Sequence, residues 1–485
     1  MDGVRVIGSD NHKLNLGEIM SNKVPIGKKI VYGIGEIGNT NLYMFYYAFF
    51  IFFLTDVAGI NPAFAGIISM IGILWDAFTD PWIGSISDNA KLKSGRRRPF
   101  MLWFAIPFGV SAWILFTSFG LEPTAAKIYF IIAVIVFFTC FTGFFIPYSA
   151  LGPEMTQDYN ERTSIQSYRG AAISIGAVLG AACPLILVDV YGGVTESIEG
   201  AWSLMAFTLG GVTVLTSLIC WAGTKGTELE FKDTTGNKQA EKFFNRYTTV
   251  LANRPFRYVT IMYLIGVAGQ TLGGAIMIYY GTYYMGMDKT AISGLIAIPA
   301  VLGLFFAPLV NLVTQKLGKR IGYMLFVGSW GLLQAGIMLV QSDDKPLLYV
   351  LFGLTGAGII ALWVIIWSMI SDVTEVDEWK SGERREGLYF GFISLVQKVG
   401  AAITMGLIGT ILTIVGYVPN IEQTTEAIYG IRLTTSIVCA IPLIVTVVIC
   451  AFYPLSEKKH TALREALANR AAKKPFSTEK FKDLI

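Results

Sequence analysis

The sequence PAFAGIISMIGILWDAFTDPWIGSI occupies residues 62–86 and is long enough to cross a membrane as a single helix. A helix of about 20 residues spans the ~30 Å hydrocarbon core of a bilayer. Asp76 and Asp80 are the only charged residues in the stretch. The stretch therefore predicts a membrane-spanning helix that carries two carboxylates.

Further apolar runs of similar length lie on both sides of it. They cover residues 28–55, 99–120, 127–151, 165–189, 202–222, 257–286, 291–314, 321–341, 346–371, 386–415 and 431–453. The composition agrees, since 53% of the 485 residues are hydrophobic and only 15% are charged, which is too little charge for a soluble chain. A transmembrane β-barrel would show short alternating segments instead. The sequence predicts an all-α membrane protein with 12 transmembrane helices.

Lys and Arg residues are distributed unevenly between the loops. The tails and one set of loops are strongly basic, whereas of the 38 Lys and Arg residues only Lys127, Lys289 and Lys345 fall in the other set. Because cytoplasmic loops retain positive charge, we expect a multi-pass protein of the cell (inner or plasma) membrane with both termini in the cytoplasm. This asymmetry accounts for the net charge of +4 without a nucleic-acid partner.

The order of segments predicts two halves of six helices each. The predicted parts are a cytoplasmic N-terminal tail (1–27), a six-helix bundle (28–223), a cytoplasmic linker (224–256), a second six-helix bundle (257–453) and a cytoplasmic C-terminal tail (454–485). Internal similarity supports the division, because the triplet that begins at Glu154 is echoed by the triplet that begins at Asp372. Two homologous bundles are typical of a transporter with its substrate site at the bilayer midplane.

Five charged residues lie at least four residues inside the ends of the apolar runs, namely Glu36, Asp76, Asp80, Arg169 and Lys398. Each costs about 2.5–3.5 kcal/mol at the centre of a membrane helix, so each is a candidate functional residue. Three of the five are acidic and two are basic. A bound Na⁺, Li⁺ or H⁺ would neutralise the remaining negative charge.

Asp76 and Asp80 are spaced i and i+4, which predicts that they share one face of their helix with Cβ atoms about 5–6 Å apart. Two carboxylates that close cannot both stay ionised without a cation, so they share a monovalent ion or one of them holds a proton. Asp80 also precedes Pro81, so a capping role is the alternative. Lys398 is expected to donate to sugar hydroxyls or to these carboxylates, or else to form a structural ion pair. Arg169 is a candidate sugar ligand, although it can also extend to the membrane interface.

Several motifs carry a resemblance to known transporters. The loop that contains Gly84, Asp88, Lys91, Gly95 and Arg96 to Arg98 resembles the major facilitator superfamily. More narrowly, the chain resembles the glycoside-pentoside-hexuronide:cation symporters, the melibiose permease-like family, through YGIGEIGNTN (32–41), WDAFTDP (75–81), IPYSALGPEMT (146–156), ERTSIQSYR (161–169) and ERREGLYFG (383–391). The resemblance implies the major facilitator fold and cation-coupled symport of a di- or oligosaccharide, pentoside or hexuronide by alternating access.

The resemblance also implies site residues. It places the coupling cation at Asp76 and Asp80, with Thr142 contributing, and it places Arg169 and Trp363 on the substrate side.

A sugar site combines polar groups with an aromatic platform. Tyr148 and Ser394 therefore join the predicted substrate site, while the alternative for Trp363 is that it faces lipid or packs against other helices. The chain departs from the family pattern at two positions. Thr40, between Asn39 and Asn41, stands where the family has an acidic residue in the first helix, and Phe145 stands where it has one in the fourth.

The absence of these two acidic residues affects both the predicted cation site and the predicted sugar site. Glu36 is the candidate to replace part of either role, with Asn39 and Thr40 on the substrate side. A proton needs fewer oxygen ligands than Na⁺. The coupling ion therefore stays open among H⁺, Na⁺ and Li⁺.

A second group of charges is predicted to act as a conformational latch. Its members are Asp88, Arg96, Arg97, Arg98, Glu154 and Asp372. Surface ion pairs contribute only about 0–1 kcal/mol each, which suits contacts that open in every cycle, and we expect them to favour the outward-facing state. The alternative is that the arginines only set the topology.

The sequence favours a transporter over an enzyme or a pump. His12 and His460 are the only histidines and both lie in the predicted tails, and no phosphate-binding Walker loop is present. The expected partners are a small sugar, a monovalent cation and the lipid bilayer, with no cofactor. The alternatives are a cation-coupled carrier of a lysolipid or another amphiphile, and a membrane sugar sensor that does not transport.

Overall fold

The structure is a computed structural model of the chain. It describes residues 23–227 and 249–484, apart from residues 91, 93, 94, 157 and 384. Most of the predicted N-terminal tail (1–27) and of the predicted linker (224–256) lies outside the described residues.

Twelve helices of the described part are long and apolar enough to cross a membrane. They are α1 (Ile26–Val57), α2 (Pro62–Asp88), α3 (Arg98–Leu115), α4 (Pro123–Glu154), α5 (Tyr159–Thr195), α6 (Ile198–Gly223), α7 (Arg254–Tyr284), α8 (Lys289–Leu317), α9 (Lys319–Leu339), α10 (Lys345–Ser381), α11 (Glu386–Ile414) and α12 (Thr425–Ala451). The prediction of an all-α protein with 12 transmembrane helices is confirmed.

Polar caps begin several of these helices at the edge of an apolar run. Asn61 accepts a hydrogen bond from the Ala63 N–H at 3.0 Å, and Pro62 then supplies a backbone angle already suited to the first helical position. Asp158 caps α5 in the same way, through the Glu161 N–H at 2.8 Å. The caps satisfy amide groups that the first helical turn leaves without partners.

Some predicted helix ends were wrong. Helix α3 ends at Leu115 rather than at 120, and α12 begins at Thr425 rather than at 431. Helix α10 continues to Ser381 rather than ending at 371, and stops where Gly382 adopts a positive φ of 72°. The predicted C-terminal tail contains a further helix, α13 (Glu457–Ala471), which Ser456 caps.

The helices pack mainly within two groups of six. In the first group α1 packs on α5 and α6, α2 on α4, and α3 on α4 and α6. In the second group α7 packs on α11 and α12, α8 on α10, and α9 on α10 and α12. Between the halves the main contacts are α2 with α11, α5 with α8, and α1 with α7.

Glycines bring α2 and α11 into backbone contact. A Cβ atom on Gly66 of α2 would lie only 2.8 Å from the Gly406 carbonyl oxygen of α11, and a Cβ on Gly409 would meet the Pro62 oxygen. Small residues allow membrane helices to approach this closely. The close approach positions charged side chains of α2 within reach of α11.

The bundle has two chemically different ends. Because consecutive helices run antiparallel, the beginning of α1 and the end of α12 lie at the same end. We call it the basic end, and it carries Lys29, Arg97 and Lys319. The opposite end, here called the far end, carries Asp56 and Tyr417.

Candidate functional site

Lys398 of α11 lies between the two carboxylates of α2. Its Nζ lies 2.6 Å from Asp76 Oδ2 and 2.5 Å from Asp80 Oδ2. The two acids therefore share one face of α2, as expected. Lys398 contacts both carboxylates, which are one of the two kinds of partner predicted for it. This three-residue cluster carries one net negative charge and joins the two halves of the protein.

The oxygen atoms around this cluster form an asymmetric set. Thr142 of α4 donates to Asp76 Oδ1 at 2.7 Å, and the Thr79 and Thr142 hydroxyls lie 3.3 Å apart. Asp80 Oδ1 is buried and has no hydrogen-bond partner among the described residues. The Asp76 side chain is only 1% exposed, whereas that of Asp80 is 24% exposed. The predicted cation ligands Asp76, Asp80 and Thr142 therefore lie together. The unpartnered oxygen of Asp80 is chemically suited to a small cation or a proton.

Glu36 forms a separate ion pair with Arg169. Arg169 Nε donates to Glu36 Oε2 at 2.7 Å, while Asn39 Nδ2 and Thr40 Oγ1 donate to Glu36 Oε1 at 3.1 and 3.2 Å. Glu36 contacts neither Asp76 nor Asp80 in the described hydrogen bonds and ion pairs. Its predicted role in cation binding stays a prediction, and the observed geometry places it with the predicted substrate residues.

Two aromatic rings lie against the Arg169 guanidinium. Its Cζ atom lies 5.8 Å from the Phe145 ring centroid and 5.6 Å from that of Tyr148. Tyr148 is fully buried and its hydroxyl donates to the Tyr32 carbonyl at 3.0 Å. In this structure Tyr148 therefore supports Arg169 with its ring, and direct contact of its hydroxyl with a substrate stays a prediction.

On the other half, Trp363 of α10 is held by an amide. Its Nε1 donates to Gln270 Oε1 of α7 at 3.1 Å, so its ring orientation is fixed within the protein. The ring also meets that of Tyr263 edge-on at 5.9 Å, and the Tyr263 hydroxyl donates to Gln397 Oε1 at 3.0 Å. The sequence reasoning missed Gln270, Tyr263 and Gln397. The signal that could have identified Gln270 and Gln397 is an amide side chain inside an apolar run. A scan for hydrophobic segments does not use this signal.

Ser394 precedes Lys398 by one helical turn. Its hydroxyl donates to the Phe390 carbonyl at 3.0 Å, which leaves its oxygen lone pairs available to accept from a ligand. The predicted substrate role of Ser394 stays a prediction.

The predicted latch residues form ion pairs inside each half. Arg97 pairs with Asp88 and lies 3.2 Å from Glu154, and Arg96 lies 2.5 Å from Glu154. Arg98 instead donates to the Trp221 carbonyl at 2.7 Å. These pairs brace α2, α3 and α4 of the first half, and the role of a conformational latch stays a prediction.

Asp372 belongs to a separate set on the second half. Lys319 Nζ lies 2.6 Å from Asp372 Oδ2, and His460 of α13 lies 2.8 Å from Glu375 and 3.6 Å from Asp372. Helix α13 is thus attached to the basic end of α10. Asp372 was predicted to lie after the tenth helix, but it lies within α10.

A cluster around Asp56 at the far end was missed by the sequence reasoning. The Asp56 carboxylate accepts hydrogen bonds from Tyr283 and, at 2.5 Å, from Tyr417 and Thr55. Asn420 donates to the Asp56 carbonyl at 2.8 Å. The only signal in the sequence was a single acid directly after the predicted apolar run 28–55.

This far-end cluster connects the halves. Asp56 and Thr55 belong to α1, whereas Tyr283 belongs to α7 and Tyr417 to the loop after α11. Burial, and then the charge of Asp56, raise the pKa of Tyr417, so its hydroxyl keeps its proton and donates. Among described residues, the hydrogen bonds and ion pairs between halves lie either at the far end or at Lys398.

Comparison with known proteins identifies relatives along nearly the whole chain. Residues 31–457 match the family described as MFS/sugar transport protein. An uncharacterized symporter of Synechocystis sp. is 29% identical, over 93% of this chain and 98% of the relative. A putative sulfoquinovose importer of Escherichia coli is 27% identical (97% and 98%), and an isoprimeverose transporter of Lactiplantibacillus pentosus is 25% identical (86% and 86%).

Solved structures show the same fold. A bacterial homologue of the human lysosomal transporter Spinster, in an inward-facing and unoccupied conformation, superposes with a TM-score of 0.65 at 12% identity, over 88% of this chain and 95% of that one. The predicted major facilitator fold is confirmed.

Proposed function

Because the chain belongs to the MFS/sugar transport protein family, we propose that it is a secondary transporter that moves a glycoside together with a monovalent cation by alternating access. The names of its relatives, which include a symporter, a putative sulfoquinovose importer and an isoprimeverose transporter, support this function. The transport cycle includes no covalent step and no cofactor beyond the coupling ion.

The observation that carries the proposal is the cluster of Asp76, Asp80 and Lys398. It holds one excess negative charge in the middle of the helices, where an uncompensated charge is costly. It also spans the contact between α2 and α11. A cation that binds there neutralises the cluster and changes a contact that both halves share, so cation binding and movement of the halves are coupled.

Lys398 and the coupling ion act on the same carboxylates. With no ion present, the Lys398 ammonium holds one oxygen of each acid. An arriving cation or proton takes part of that role, using Asp80 Oδ1 and the Thr142 hydroxyl as well. Lys398 is then freed in part to donate to a sugar hydroxyl, which makes sugar binding stronger once the ion is bound.

The substrate side is formed by Arg169 and Trp363 from opposite halves. Arg169 offers N–H donors to sugar hydroxyls, and Trp363 offers an aromatic face to the sugar ring. The partial exposure of Arg169 (18% of its side chain) and Lys398 (14%) supports access of a ligand to both.

We further propose that the protein lies in the cell (inner or plasma) membrane with the basic end in the cytoplasm. The excess of Lys and Arg at that end supports this orientation. The far end is tied across the halves by the Asp56 cluster, so this end is closed in the structure.

The test is sugar uptake into liposomes that contain the purified protein, with Na⁺ and H⁺ gradients imposed separately. We expect accumulation above equilibrium under one of the gradients, and its loss when the gradient is collapsed by an ionophore. Sugar binding without any gradient-driven accumulation would indicate a sensor. Binding of lysolipids in place of sugars would indicate an amphiphile carrier, and either result would refute the proposal.

A further inference from the structure

The charged residues on the substrate side determine whether the site accepts a neutral or an anionic sugar. This inference rests on the proposed function. The substrates of the relatives differ, so family membership alone does not select a neutral or an acidic sugar. An anionic sugar in a buried site needs a positive group whose charge is not already balanced, since an isolated buried charge is very costly.

Arg169 does not provide an unbalanced charge. Its Nε lies 2.7 Å from Glu36 Oε2, and Glu36 is only 3% exposed. Asn39 and Thr40 both donate to the other oxygen of Glu36, so both oxygens of this carboxylate have partners. Glu36 is therefore a fixed counter-ion of Arg169.

The second positive group is balanced even more completely. Lys398 lies within 2.6 Å of both Asp76 and Asp80. When one coupling cation binds to that cluster, the five charges add up to zero. A neutral sugar keeps the loaded carrier neutral, whereas a uronate or sulfonate would add one buried negative charge.

The remaining properties of Arg169 suit hydroxyl groups. A guanidinium carries five N–H donors in a planar fork, and the pairing with Glu36 uses only its Nε donor in the described hydrogen bonds. The flanking rings of Phe145 and Tyr148 are apolar surfaces that fit a sugar ring face. The site thus offers hydrogen-bond donors without net positive charge.

We propose that Glu36 is a specificity-determining residue: by neutralising Arg169 it restricts the transporter to uncharged glycosides and excludes uronates and sulfonated sugars.

The experiment compares matched sugars that differ only at C6. Methyl glucoside with methyl glucuronide, and methyl galactoside with methyl galacturonide, are tested for uptake into liposomes and as competitors of each other. For the wild type we expect at least ~10-fold preference for the neutral member of a pair that is transported. If the wild type accumulates a uronate to the same extent as its neutral partner, the proposal is overturned without any variant.

The variant Glu36→Gln keeps the size of the side chain and removes its charge. We expect the ratio of uronate to neutral sugar uptake to rise about tenfold, which is a change in ΔG of about 1.4 kcal/mol. The control Glu199→Gln alters an exposed acid of the same half and should leave the ratio unchanged. A purely structural role for Glu36 would lower uptake of both sugars without changing their ratio, and would overturn the proposal.

The double variant Glu36→Gln/Arg169→Gln removes both charges of the pair. We expect its ratio to return towards the wild-type value, because the freed guanidinium is gone. A ratio that stays high in the double variant would assign the effect to another group and overturn the proposal. If no sugar of either class is accumulated under any gradient, the symport function itself fails, and this inference fails with it.

Discussion

Lys398→Met should destabilise the protein in the absence of a coupling cation. The substitution keeps the length of the side chain and removes the ammonium that lies 2.6 Å from Asp76 and 2.5 Å from Asp80. Asp76 is almost fully buried and, among the residues that the structure describes, keeps only the Thr142 hydroxyl as a hydrogen-bond partner. Breaking a buried ion pair by removing one partner costs about 3–5 kcal/mol.

The loss should depend on the ions in solution. A cation that binds only the folded state adds about 2.7 kcal/mol of stability at 100 times its dissociation constant. Lys398→Met leaves two carboxylates that no ammonium competes for, so we expect a larger stabilisation by Na⁺, Li⁺ or H⁺ in the variant than in the wild type. The ion that restores stability would also identify the cation the cluster prefers.

The assay is thermal unfolding of purified protein in detergent, with choline replacing Na⁺ at a fixed alkaline pH. At about 2 °C per kcal/mol, the midpoint of Lys398→Met should fall by at least ~6 °C. The exposed Lys316→Met on α8 is the matched control and should unfold like the wild type. Adding Asp80→Asn to Lys398→Met should recover part of the loss, because one fewer buried carboxylate is left unpaired.

Two results would refute this reasoning. Lys398→Met could unfold at the wild-type temperature in choline, which would mean that the cluster is more solvated than its burial indicates. Alternatively, the double variant Lys398→Met/Asp80→Asn could be less stable than Lys398→Met, which would mean that Asp80 stabilises the fold by contacts other than Lys398.

Three further variants test the other parts of the site. Asp76→Cys should abolish gradient-driven sugar accumulation with normal expression, and full cation-stimulated accumulation would remove Asp76 from the mechanism. Tyr417→Phe deletes one hydrogen-bond donor to Asp56, a contact of about 1.5–3 kcal/mol. The far end should then open more often, so labelling of cysteines introduced there should rise about tenfold or more. Unchanged labelling would contradict a closed far end. Trp363→Ala should weaken sugar binding roughly tenfold in calorimetry, while the exposed Trp103→Ala should not; equal effects would place Trp363 outside the sugar site.

The helices were predictable because the length of an apolar run is a local property of the sequence. The run 62–86 corresponds closely to α2, which spans Pro62–Asp88. Helix α10 was cut short in the prediction because Asp372 and Asp377 interrupt its apolar pattern. In the structure these acids pair with Lys319 and Arg385, which makes their charge compatible with a continuing helix. Lys319 comes from α9 and Arg385 from the residue before α11, and a scan along one apolar segment cannot supply such partners.

The site was predictable where it depends on spacing within one helix. The common face of Asp76 and Asp80 follows from their separation by four residues. The partner of Glu36 does not follow from any spacing, because Arg169 lies 133 residues away in the chain. Asp56 was missed because it falls one residue beyond a predicted run and its partners Tyr283 and Tyr417 come from the other half.

The way in which the charges are paired matters more than their sum. An excess of one negative charge among five residues can be counted in the sequence. The sequence does not show whether this charge lies at Glu36 or at the pair Asp76 and Asp80. If Glu36 carried the excess, a cation would bind between α1 and α5, inside one half, and would have little effect on the position of the other half. Because Arg169 neutralises Glu36, the excess charge lies at Asp76 and Asp80, opposite Lys398 of α11. In the proposed transport cycle, a cation attracted there binds at the contact between the halves, and this location would allow an ion gradient to drive their movement.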